Sequence, residues 1–75
     1  MLNSKRGAIM VVSDFTVPEL EHLRNQCNFV GNEIQVFELR SRGMPLERIA
    51  EELNMSVEGI KKISRKVNNK IIRVL

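Results

Sequence analysis

After residue 14 the apolar positions step by three and four residues almost to the end of the chain, with three breaks. Leu20, Leu23 and Cys27 stand at i, i+3 and i+7, one face of an amphipathic helix. Thr16 and Glu19 form a T-x-x-E capping box ahead of it, and Phe15 and Leu20 are placed as a hydrophobic staple. Pro18 falls in the first turn, where its missing N–H has no helical partner to lose. The spacing predicts a first helix from about Val17 to Asn28. A second follows in NEIQVFELRSR. Gly31 and Asn32 open it, Gly43 closes it at a position that takes positive φ, and Val36, Phe37 and either Ile34 or Leu39 turn inward. Arg40 and Arg42 suit the negative end of its dipole.

The third and fourth helices are MPLERIAEELN, with Pro45 at its first position, and SVEGIKKISRKVNNKIIRVL, capped by Ser56. No strand-like alternation of useful length appears after residue 14, so the predicted fold is all-α. It has four helices over residues 15–75 and a flexible or extended N-terminal arm over residues 1–14. Within that arm AIMVV is suited to adding a short strand in an assembly or to packing on the body.

The break between the last two helices carries the main information. Counted from Leu46, the fourth, eighth, tenth, fifteenth and eighteenth positions are Ile49, Leu53, Met55, Ile60 and Ile63, all apolar, and the fifth is the small Ala50. Two helices crossing steeply around a short turn require this set. Asn54 holds the ninth position, where glycine is usual, and Asn enters the left-handed conformation more readily than other non-glycine residues. The pattern predicts a helix-turn-helix.

Charge gives the last helix its purpose. The formal net charge is only +3, but all nine acids lie between Asp14 and Glu58. From Gly59 onward there are six bases, Lys61, Lys62, Arg65, Lys66, Lys70 and Arg73, and no acid. A polycation on a mildly acidic body points to a polyanion or an acidic protein surface. In a helix-turn-helix the second helix reads the nucleic acid, which places about residues 57–75 in the major groove of double-stranded DNA. Val57, Glu58, Lys61 and Lys62 are the expected base-edge residues: a valine for a thymine methyl, a glutamate for a cytosine amino group, lysines for guanine edges. Glu58 serves equally as a partner for the positive helix end. Ser56, Arg65, Lys66, Lys70 and Arg73 are the expected phosphate contacts, which set register without reading sequence.

From about Phe29 to the end, the chain resembles the DNA-binding domains of LuxR-type response regulators and the similar region 4 of sigma-70-like factors. E-x-x-V-F-x-L, R-G, the I-A-x-x-L core, N-M-S, I-K and a closing K-I carry the resemblance. It departs at Val30 and Met44, which stand where the family caps its helices, and at Gly59 within the reading helix. The resemblance implies transcriptional regulation by a freestanding reader, like the small helix-turn-helix proteins of phages and mobile elements. It also implies a homodimer through the last helix. There Ile60, Ile63, Val67, Ile71 and Val74 form a heptad-like seam, with Val67, Ile71 and Val74 as the expected interface. Packing of the seam on the first helix is the competing expectation.

Two other readings stay open: a sigma-like accessory module that binds RNA polymerase and promoter together, and a protein-interaction module whose basic helix docks on an acidic partner. An enzyme is not expected. His22 and Cys27 are single residues on different rungs of one helix, no Cys/His cluster has zinc spacing, and no glycine loop cradles phosphate. No catalytic residue, metal or cofactor is therefore assigned. Seventy-five residues with 43% hydrophobic content and no Trp or Tyr allow one small domain with an aliphatic core. A single cysteine fits a reducing compartment. No apolar run approaches the roughly 18 residues of a membrane span, and GAIMVV is too short for a signal segment. The expected location is cytoplasmic, away from membranes.

Overall fold

The computed structural model describes residues 12–75. Among them are a 3-10 turn, Val12–Asp14, and four α-helices: α1 (Val17–Gln26), α2 (Asn32–Ser41), α3 (Leu46–Leu53) and α4 (Val57–Val74). The described residues contain no strand, and the all-α expectation is met. Most of AIMVV lies outside the described residues.

Each boundary has a local cause. Thr16 accepts from Glu19 N at 3.3 Å and its own N–H donates to Glu19 Oε1 at 2.8 Å, closing the capping box that starts α1. The helix stops at Gln26, two residues earlier than the apolar spacing suggests, because Asn28 turns to φ +52°. Two later helices end alike. Gly43 (φ +86°) donates to Arg40 O and Met44 to Leu39 O after α2; Asn54 (φ +59°) donates to Glu51 O and Met55 to Ala50 O after α3. Both are Schellman closures, in which a left-handed residue lets its own N–H and the next one satisfy orphan carbonyls. Asn54 thus stands in for the glycine that this turn ordinarily uses. Pro45 caps α3 from just outside rather than occupying its first position.

Helix α4 lies across the other elements and packs most heavily on α2 and α3, with α1 along its later turns. Phe37, Val36, Ile49, Ile60, Val67 and Ile71 are completely buried where they meet, and Leu23, Phe15 and Cys27 close the core from the α1 side. Phe29 stacks on Phe37 with ring centroids 4.7 Å apart. Burial raises the Cys27 thiol above its ordinary range, opposed by the nearby Lys70 charge.

Two expectations are corrected here. Val12 is buried in the core, and the Val12–Asp14 turn packs on α2. These residues belong to the folded body rather than to an arm ending at residue 14. Val67 and Ile71 are fully buried within their own chain. A copy of the protein cannot reach them without opening the core, so they are not available as a dimer interface. Only Val74 of that expected set keeps partial exposure, with Ile72 and Leu75 exposed beside it.

Candidate nucleic-acid interface

Helix α4 follows the Asn54 turn after Met55 and the extended Ser56. Ser56 caps it, its Oγ accepting from Gly59 N at 3.1 Å. Gly59 fits the cap: a Cβ there would lie 3.2 Å from Ser56 Oγ and 3.5 Å from Met55 Cε. Gly59 therefore has a local reason that involves no ligand.

The core takes one side of α4. Ile60, Ser64, Val67 and Ile71 are buried, and their three- and four-residue steps define the inward face. The opposite side is solvent-facing at Glu58, Lys61, Lys62, Arg65, Lys66, Asn69 and Arg73. Steps of three, four and seven residues from Glu58 through Lys61, Lys62 and Arg65 to Asn69 put these on one ridge, with Lys66 and Arg73 beside it. None of the five bases among them closes an ion pair or hydrogen bond among the described residues. The structure thus brings together most of the residues expected at the interface: Glu58, Lys61, Lys62, Arg65, Lys66 and Arg73. Ser56 is exposed at its start.

Two expected members stand elsewhere. Lys70 does not project with the other cations. Its Nζ lies 2.6 Å from Glu33 Oε1 and 3.1 Å from Asn28 O, so it is committed inside the fold and is not a free phosphate contact. Glu33 accepts from both Lys70 and Val30 N, and these hold its carboxyl below the ordinary range, the Lys70 bond contributing most, against an opposing desolvation. Val57 is half-buried and packs against the core, so its side chain is only partly presented at the outer face.

Arg40 supplies a second lock on α4. Instead of serving the C-terminal dipole of α2, it crosses to α4 and donates from Nη1 to Ser64 Oγ at 2.8 Å and Asn68 Oδ1 at 2.6 Å. Burial lowers its pKa from the ordinary guanidinium value. Arg24 pairs with Glu38 through two hydrogen bonds and joins α1 to α2. Sequence reasoning missed all three locks, since each joins residues far apart in the chain. Their combined effect is orientational: Lys70 and Arg40 fix the rotation of α4 about its own axis, and so fix which residues face outward.

Charge is polarised across the helix pair. Glu47, Glu51 and Glu52 are exposed on α3, whereas the outer face of α4 carries five bases against Glu58. No group of three or more His, Cys, Asp or Glu side chains among the described residues is arranged to hold a metal ion. No helix among them is long and apolar enough to cross a membrane. Compared with protein-family models, curated proteins and solved structures, the chain gives no match.

Proposed function

We propose that this protein binds double-stranded DNA in a sequence-dependent way and acts in transcriptional regulation, with α4 entering the major groove. The observation that carries the reading is the outward face of α4: Lys61, Lys62, Arg65, Lys66 and Arg73 are exposed and close no ion pair or hydrogen bond among the described residues, on a helix that follows the left-handed turn at Asn54. A solvated structural helix gains nothing from five like charges on one face, since neighbouring like charges repel. A polyanion offsets that repulsion and releases counterions as it binds. The acids of α3 favour an approach in which α4, and not α3, leads into the phosphate field. The spacing that resembles LuxR-type and sigma region 4 domains supports the same assignment.

Binding of a labelled duplex across a salt series tests it. Log K should fall linearly with log salt by about 0.9 per neutralised phosphate. Lys66→Ala should weaken all duplexes alike and reduce that slope by about one phosphate. If no duplex binds even at low salt, the reading fails. The basic face would then be assigned to an acidic protein partner.

A further inference from the structure

The two adjacent asparagines of α4 have different fates. Asn68 is half-buried, and its Oδ1 accepts from Arg40. Asn69 is exposed, with no hydrogen-bond partner among the described residues. It lies four residues after Arg65, seven after Lys62 and eleven after Glu58, on the central ridge of the basic face.

Nothing in the fold calls for asparagine at this position. It is among the weaker helix formers and sits in the interior of an 18-residue helix, where a lysine or glutamine serves better. It caps no helix end and closes no turn. It adds no charge on a face otherwise rich in cations, so it forgoes the counterion release that a lysine there would bring. A position that breaks the local rule without a structural return is where a functional side chain is expected.

Resting on the DNA-binding reading above, we propose that Asn69 is a specificity-determining residue that reads an adenine edge in the major groove. Its amide offers a donor and an acceptor side by side, matching adenine N6 and N7. Glu58, an acceptor only, stands at the other end of the same ridge and matches a cytosine amino group. Eleven residues of helix span about 16 Å, no more than about five base-pair steps at about 3.4 Å. The ridge between them carries Lys62 and Arg65, donors that suit guanine edges or phosphates. The site would then hold a cytosine and an adenine within about five base pairs of each other.

Selection of bound sequences from a random duplex pool, run with the wild type and with Asn69→Ala, Asn69→Asp and Asn69→Gln, tests the assignment. The wild type should enrich a motif containing a fixed adenine. Asn69→Ala should lose preference at that one position and bind the selected site about tenfold or more weakly. Asn69→Asp should move the preference there from adenine toward cytosine, and Asn69→Gln should keep adenine. Circular dichroism should show the same helix content in all four proteins. If the wild type enriches a motif and Asn69→Ala and Asn69→Asp enrich it unchanged, Asn69 is merely solvated and the assignment is overturned, while DNA binding stands. If the wild type binds no duplex, both fall.

Discussion

Lys70 Nζ stands 2.6 Å from Glu33 Oε1, joining the C-terminal half of α4 to the first turn of α2. The pair is largely sheltered, with side chains 26% and 11% exposed. It turns a residue of the basic helix into a structural tie. Between the small worth of an exposed ion pair and the several kcal/mol lost on breaking a buried one, Lys70→Met should cost about 2 kcal/mol in urea denaturation. It should leave the salt slope of duplex binding unchanged. A slope reduced by about 0.9 would instead return Lys70 to the proposed DNA face.

The same pair sets an acid limit. Lys70 and the Val30 N–H hold the Glu33 carboxyl below its ordinary range in the folded chain. Its stabilising contribution is therefore fully present above the unfolded carboxylate value of about 4.3 and lost as pH falls through the lower folded value. Wild type should exceed Glu33→Gln in stability by a constant margin between about pH 5 and 8. The margin should shrink below about pH 4. Thermal unfolding of both proteins across that range reads it, and a margin that stayed constant into acid would exclude the ion pair as its source.

What was legible before the structure is what depends on neighbours in sequence. Thr16 and Glu19, the Ser56 cap, Gly43 and Asn54 act within a turn of helix, and their roles follow from chemistry visible in any short window, whereas the fit of Gly59 beneath the Ser56 cap came only with the structure. The core positions of α3 and α4 were legible for the same reason. The ties that orient α4 were not. Lys70 and Glu33 are 37 residues apart, and Arg40 lies 24 and 28 residues from Ser64 and Asn68. A lysine in a basic run looks like every other lysine until a distant carboxylate claims it. Apolar periodicity marked Val67 and Ile71 as one seam, yet the same seam serves a core or an interface equally well. Only the packing of the other helices decides between them.

The turn at Asn54 offers a test of the geometry between α3 and α4. Its φ of +59° and ψ of +45° cost a residue with an ordinary Cβ about 1–2 kcal/mol. Asn54→Ala should destabilise by about that amount, and Asn54→Gly should be neutral or stabilising by less than about 1 kcal/mol. Chemical denaturation measures both. If alanine proved as stable as glycine, the left-handed turn between α3 and α4 would be ruled out.

Ile71 separates core from interface. It is completely buried within one chain, beside Val67 and against the helices that α4 packs on. Removing most of its side chain loses burial and leaves a cavity, so Ile71→Ala should cost about 2–5 kcal/mol. For a core residue that loss appears at every protein concentration, because folding is then a property of one chain. For an interface residue the wild-type midpoint would rise with concentration and the variant's would not, since association stabilises only the form that can associate. Thermal unfolding of both proteins over a hundredfold range of concentration distinguishes the two. The expected result is a large, concentration-independent loss. A dimer through the end of α4 would then rest on the exposed Ile72 and Leu75. Ile72→Lys should dissociate such a dimer in sedimentation while leaving the stability of the monomer within about 0.5 kcal/mol.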